Sequence, residues 1–451
     1  MLKQLAGCVR EYKRPTILTL IFIVGEAVIE TIIPFITANL VNRIKAGASI
    51  ESVMEVGLLL IIMAAISLVC GGLAGFTCAK ASTGFAKNLR SDLFHRIQTY
   101  SFENIDKFSS SSLVTRMTTD VTNVQMAFMM LIRIAIRSPL LLIFSTVMAF
   151  VMGGKLAFVF VVVIPILAFG LLAIGKKAMP AFRSVFKKYD RLNESIEENV
   201  RGMRVVKGFS REEYEKQKFN TAADNIRKDF TKAECIVALN TPLMNLCMYI
   251  NMVVVLLVGS KLAITSGGSA LDVGQISGML TYGMQILMSL MMLSMIYVMV
   301  TMSAESAKRI CEVLEEEPSL KEPENPVMEV KDGSIEFKNV NFKYSARAKK
   351  YALSDIDLSI RSGMTVGIIG GTGSSKSSLV QLIPRLYDVT EGAVLVGGVD
   401  VRSYDIPTLR SAVAMVLQKN VLFSGTIKDN LRWGNETATD EEIMEACRLS
   451  Q

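Results

Sequence analysis

Gly370-Gly371-Thr372-Gly373-Ser374-Ser375-Lys376-Ser377-Ser378 sets the reading of the whole chain. Before it lies the apolar run Met364-Thr365-Val366-Gly367-Ile368-Ile369, and after it Leu379-Val380-Gln381-Leu382-Ile383. This order predicts a strand, a tight loop of small residues and the start of a helix. The loop nearly matches the phosphate-binding pattern G-x-x-x-x-G-K-[ST]. In that pattern consecutive backbone N–H groups and the positive end of a helix face an anion. Lys376 would reach the outer phosphates, and Ser377 would hold Mg²⁺ through its hydroxyl. Gly370, Gly371, Thr372, Gly373, Ser374, Ser375 and Ser378 complete the candidate cradle. One position departs: Ser375 stands where the pattern has glycine. A serine still offers its N–H to phosphate. It loses glycine's tolerance of positive φ, which costs about 1–2 kcal/mol if such a φ is required.

Composition calls for two environments. The chain has 451 residues, 51% of them hydrophobic, with a mean hydropathy of +0.39, yet 20% are charged. A membrane part joined to a water-soluble part accounts for both figures. The net charge of +7 reads as cytoplasmic loops near anionic lipid. No Lys/Arg run is interleaved with aromatics, so nucleic acid is not an expected partner. The seven cysteines form no C-x-x-C pair, and the single histidine, His95, excludes a three-histidine metal site. The first apolar run follows Arg10, Lys13 and Arg14 and is long enough to cross a bilayer, so it is not read as a cleavable signal.

Charge-poor runs mark six spans. Between Arg14 and Arg43 the only charges are Glu26 and Glu30. Uncharged runs of 24, 17, 20, 26 and 32 residues follow, bounded by Glu55 and Lys80, Arg137 and Lys155, Lys155 and Lys176, Glu234 and Lys261, and Asp272 and Glu305. Each is near or above the roughly 20 residues that cross about 30 Å of hydrocarbon. Connections 81–127 and 177–233 are long and rich in Lys and Arg, whereas 42–52, 153–155 and 265–272 are short. The positive-inside tendency puts the long ones, and both chain ends, in the cytoplasm. Helical spacing in Leu89–Ile97 and Leu192–Val200 predicts that the spans continue as two cytoplasmic hairpins. Their turning points fall at Phe102–Ser112 and Gly208–Tyr214.

After Glu305 the chain turns polar, and Glu315-Glu316-Glu317-Pro318 with Pro323-Glu324-Asn325-Pro326 reads as a linker. Strands are expected at Ser334–Phe342, Ser354–Ile360, Met364–Ile369, Ala393–Val396 and Ala412–Leu417. The fold class is therefore an all-α six-helix transmembrane domain with long cytoplasmic helical extensions, followed by a partial α/β phosphate-loop nucleotide-binding domain. The expected boundaries are 1–311 for the membrane domain, 312–330 for the linker and 331–451 for the nucleotide domain.

Six spans, two long hairpins, a linker and a phosphate-loop domain, in this order, resemble half of an ABC exporter of the bacterial multidrug type. Tyr344, in Phe342-Lys343-Tyr344, resembles the aromatic that the family stacks on adenine. Gln418, in Val416-Leu417-Gln418-Lys419-Asn420-Val421-Leu422-Phe423, resembles its glutamine loop. Phe423–Leu431 is very like exporters of this type, and Val206-Lys207-Gly208-Phe209 with Glu212 and Glu215 resembles the coupling segment. The resemblance implies ATP and Mg²⁺ as cofactors, with Lys376 and Gln418 in catalytic roles and Gln418 joining Ser377 at the metal. It also implies a dimer with a second half-transporter, the same chain or another, whose nucleotide domain receives the second hairpin. The function it implies is ATP-driven export of hydrophobic small molecules, drug-like or lipid-like, across the cytoplasmic membrane. Alternatives are a lipid or peptide exporter, an ATP-gated channel and a non-hydrolysing regulatory half. The family's Leu-Ser-Gly-Gly-Gln signature, the aspartate-ended strand with its glutamate and the switch histidine do not occur in the 451 residues. The sequence is thus expected to be C-terminally truncated, binding nucleotide without turning it over.

Three further sets of residues in or near the spans carry competing readings. Glu26 and Glu30 are four apart on one face of the first span. They read either as a site for cationic substrates or as serving a structural hydrogen-bonding role between helices. Arg133 and Arg137, also four apart, are expected to snorkel to the headgroups. Met284, Met288, Met291, Met295, Met299 and Met302 form one stripe along the sixth span. That stripe, centred on Met291 and Met295, reads as an adaptable apolar substrate surface or as packing against a helix or lipid.

Overall fold

A computed structural model describes residues 2–267, 271–345, 348–418 and 421–450. The contacts divide the chain into two units. One comprises residues 1–98 and 111–316; the other comprises 99–110 and 317–451.

The first unit is helical: α1 (Leu2–Gly7), α2 (Lys13–Lys45), α3 (Ile50–Gln98), α5 (Ser110–Thr115), α6 (Val121–Gly153), α7 (Phe158–Arg201), α8 (Met203–Gly208), α9 (Glu212–Ala238), α10 (Asn240–Thr265) and α11 (Val273–Glu315). Five helical segments among the described residues are long and apolar enough to cross a membrane. One of them, Ser110–Phe182, contains both α6 and α7, which are separated at Gly154 (φ +51°) by a short 3-10 turn. The six charge-poor runs therefore fall on α2, α3, α6, α7, α10 and α11. Lipid offers the backbone no partners, so these runs must satisfy their hydrogen bonds internally as helices.

α2 lies along α3 and α6, α11 packs on α6 and α2, and α7 pairs with α9. Tight approaches rest on small residues. A Cβ on Gly153 would overlap the Met279 sulfur, and one on Gly274 would overlap the carbonyl of Ala38. The main core joins Ala149, Met152, Phe160, Val255, Tyr282 and Ile286. Within it the Tyr282 hydroxyl donates to the Thr31 carbonyl at 2.7 Å. α3, at 49 residues, is about 70 Å long by its rise, more than twice the hydrocarbon thickness.

The second unit holds α4 (Phe102–Phe108) and a sheet of order β2-β1-β3-β4, antiparallel throughout, with β1 (Ile335–Phe342), β2 (Leu353–Ile360), β3 (Glu391–Val396) and β4 (Val399–Asp400). Phe337 pairs with Leu358 on one side and Val394 on the other. Phe337, Phe342, Val394 and Val396 face a core completed by Leu382, Tyr387, Tyr404 and Leu409. The helices are α12 (Lys376–Leu382), α13 (Ile406–Ala412), α14 (Ile427–Leu431) and α15 (Asp440–Leu449).

Two expected strands are not formed. Met364–Ile369 and Val413–Leu417 carry no ladder among the described residues, and Ala412 closes α13. Ile369 is 99% exposed and Val416 89%. An apolar run becomes a strand only when neighbouring backbones take its N–H and C=O groups. No strand among the described residues reaches these two.

Candidate functional site

The phosphate loop enters α12 at Lys376. Ser375, just before it, has φ +61° and ψ +24°, in the left-handed region. That conformation is where the pattern's glycine would pay no Cβ penalty. Gly373 is also left-handed, at φ +85°. Lys376 Nζ curls over the loop and donates to the carbonyls of Gly370 and Gly371 at 2.7 and 2.8 Å and to Ser374 Oγ at 3.3 Å. Ser374 N donates to Gly371 O at 3.3 Å. The N–H groups of Gly373, Ser375, Lys376 and Ser377 find no backbone acceptor among the described residues. Such a row of spare donors beside an ammonium suits a phosphate chain. The residues present therefore fit a nucleotide triphosphate, and the exposed Ser377 hydroxyl is a suitable Mg²⁺ ligand.

Tyr344 is tied to the same helix. Its hydroxyl shares a 2.6 Å hydrogen bond with Ser378 Oγ and donates to Gln381 Oε1 at 3.3 Å. Its ring meets Phe342 and Tyr387 edge to face, with centroids at 4.8 and 5.2 Å. Tyr387 in turn contacts Phe102 of α4 and donates to Asp106 Oδ2 at 2.8 Å. Burial, then the Asp106 carboxylate beside it, pushes the Tyr387 hydroxyl far above its ordinary range, so it remains a donor. Sequence reasoning missed Tyr387, Ser378 as the Tyr344 partner, and Asp106. Gln418 is exposed and makes no hydrogen bond to the loop among the described residues. Thus Tyr344 and the cradle are brought together, and Gln418 is not joined to them.

These features sit in a chain that also carries helices of membrane length, and comparison with known proteins fixes what the combination is. The family description "ABC transporter transmembrane region" matches residues 16–290, and "ABC transporter" matches residues 353–451. The chain belongs to the ABC transporter family. It is 33% identical over 434 residues to an uncharacterized ABC transporter ATP-binding protein of Bacillus subtilis, covering 96% of this chain and 75% of the relative. It is 32% identical over 447 residues to another of Mycobacterium tuberculosis, covering 98% and 76%. A fatty acid ABC transporter ATP-binding/permease protein of Mycobacterium bovis is 30% identical over 362 residues, covering 80% of this chain and 56% of that protein. This ABC transporter chain thus joins a transmembrane region to a nucleotide-binding domain, and ATP binding comes with that domain.

The charged residues of the spans follow the structural reading of Glu26 and Glu30, a hydrogen-bonding role between helices, and depart from the snorkelling expected of Arg137. Arg137 does not simply snorkel. Its Nη2 donates to Glu30 Oε1 and Oε2 at 2.9 and 2.7 Å and lies 3.5 Å from Glu26 Oε1. One guanidinium thus stands within ion-pair distance of both carboxylates, which lowers the cost of holding charge within a span. Gly71 on α3 leaves room for the Glu26 carboxyl, whose Oε1 would stand 3.1 Å from a Cβ there. Gln285 on α11 joins the cluster, donating to the Glu30 carbonyl at 3.3 Å and accepting from Ser145 at 2.8 Å. The signal that could have found the pair was the matched four-residue spacing of 26/30 and 133/137. On α11, Met284, Met288, Met291, Met295 and Met302 are all exposed, so the stripe is not packed against another helix of this chain.

Proposed function

We propose that this chain is one half of an ATP-driven exporter of hydrophobic amphiphiles, with residues 1–311 as the membrane domain, 312–330 as the linker and 331–451 as the nucleotide domain. The observation that carries this reading is the phosphate loop with its unsatisfied N–H row and Lys376, in one chain with six runs of membrane length. Both termini and both hairpins lie in the cytoplasm, in keeping with the Lys/Arg-rich long connections. Tyr344 would stack on adenine, Lys376 and the loop would hold the phosphates, and Ser377 would hold Mg²⁺, with Gln418, which stands apart from the cradle, joining it once nucleotide is bound. Bound Mg-ATP supplies the phosphoryl group; these residues position it. A second half-transporter, the same chain or another, receives the tip of the second hairpin, where Val205, Phe209 and Tyr214 are exposed.

The exporter reading is tested in inside-out vesicles carrying the complete transporter. An amphiphilic dye should accumulate against its gradient with Mg-ATP and not with ADP, and K376A should abolish accumulation. Equilibration without accumulation would instead mark a channel.

A further inference from the structure

Arg133 is the charge of the membrane cluster that makes no ion-pair contact among the described residues. It precedes Arg137 by one turn of α6, yet both Glu26 and Glu30 are paired with Arg137. Among the described residues no carboxylate lies within the 4.0 Å ion-pair distance of Arg133. Its side chain is exposed, and its two terminal nitrogens stand 3.9 Å from where a Cβ on Gly75 would be. A second donor nearby, the buried Arg137 Nε, has no hydrogen-bond partner among the described residues.

The level in the membrane matters. Arg133 lies about 30 Å along α6 from its end at Gly153 by helical rise. That is the hydrocarbon thickness, so Arg133 stands at the lipid interface opposite the Gly153 turn. Beside Gly75 on α3 runs an exposed apolar stripe, Leu68, Gly72 and Phe76, spaced by four. A planar cation at headgroup level next to an open apolar stripe is complementary to an acyl chain ending in an oxyanion.

We propose that Arg133 binds the anionic headgroup of an acyl-chain amphiphile, a carboxylate or a phosphate. This deepens the exporter reading by naming a substrate class, and it rests on that reading for treating the ligand as cargo. The guanidinium faces the oxyanion with two parallel N–H donors. Gly75 keeps the approach from α3 open. Arg137, within ion-pair distance of Glu26 and Glu30, offsets one of their two negative charges and so reduces their repulsion of the anion.

The test is equilibrium binding to the chain in phosphatidylcholine nanodiscs without nucleotide, using radiolabelled palmitate, hexadecyl phosphate, hexadecanol and hexadecyltrimethylammonium. R133Q should weaken palmitate and hexadecyl phosphate about tenfold, the loss of one charge-assisted contact, and leave hexadecanol unchanged. R133K keeps the charge but not the planar fork and should bind between the parent and R133Q. G75L, which pushes a side chain at the guanidinium from α3, should give the same selective loss and serves if R133Q does not assemble. Discs containing phosphatidylglycerol separate the sources: competition with palmitate in the parent chain, lost in R133Q, means that bilayer lipid uses the site. Unchanged palmitate affinity in R133Q and G75L, or equal losses for hexadecanol, would overturn the proposal. Because no nucleotide is present, failure here leaves ATP-driven export standing, and failure of export leaves this binding result standing.

Discussion

Arg137 grips Glu30 through one nitrogen, Nη2 lying 2.9 and 2.7 Å from the two carboxylate oxygens, although the residues are 107 positions apart in sequence. The pair joins α2 to α6, with Glu26 as a longer third member at 3.5 Å. R137A should lower thermal stability in detergent, and a double-mutant cycle with E30A should return a coupling of about 1–2 kcal/mol. Additive losses would mean that the contact contributes nothing.

The left-handed Ser375 makes a second expectation quantitative. With φ at +61°, S375G relieves about 1–2 kcal/mol of backbone strain. Because the left-handed φ is already present without ligand, most of that relief should appear as stability, and ATP affinity should rise by no more than about tenfold. S375A keeps the Cβ and should give no gain. Isothermal titration with Mg-ATP distinguishes the two, and a gain far above tenfold would mean that the serine had disabled the loop.

Tyr387 should act on α4 rather than on nucleotide. Y387F removes the 2.8 Å bond to Asp106 but keeps the ring against Phe102 and Tyr344. The expected cost is about 1 kcal/mol of stability, with faster amide exchange in Phe102–Phe108 and ATP affinity within about twofold of the parent. Loss of ATP binding in Y387F would show that the ring stack, and not the bond, had been disturbed.

The sequence and the structure agree where the solvent dictates the answer. Lipid forces an uncharged run into a helix, so the spans could be read from charge spacing alone, with the break at Gly154 visible as Gly153-Gly154-Lys155. The alternation in Ile335–Phe342 and Leu353–Ile360 exposed their strands, because each has one buried face. Met364–Ile369 has no such face here. Its apolar character predicted a strand that only flanking partners could supply. The Arg137 ion pair was hidden for another reason: sequence gives the spacing of charges on each helix but not which helices are neighbours. Tyr387 was hidden because an aromatic in Arg385-Leu386-Tyr387-Asp388 has no periodic signature of its role.

The last expectation concerns Cys8, beside the first span. Burial, reinforced by the Asp92 carboxylate 3.4 Å from its sulfur, raises the thiol from 9.0 to about 11, with Arg10 opposing. At pH 8 its thiolate fraction is therefore about a hundredfold below that of a thiol titrating at 9.0. Maleimide should label the exposed Cys235 and Cys447 first, with Cys8 reacting only as pH climbs toward 11. The sign of the stability effect follows from the same shift. Below 9 both folded and unfolded chains hold the proton. Between 9 and 11 only the folded chain does, so Cys8 stabilises the fold below that window and loses its contribution as pH rises through it. D92N removes the carboxylate's share of the shift and should start Cys8 labelling at lower pH. Labelling of Cys8 at pH 7 as fast as Cys447 would show that neither burial nor Asp92 holds the thiol protonated.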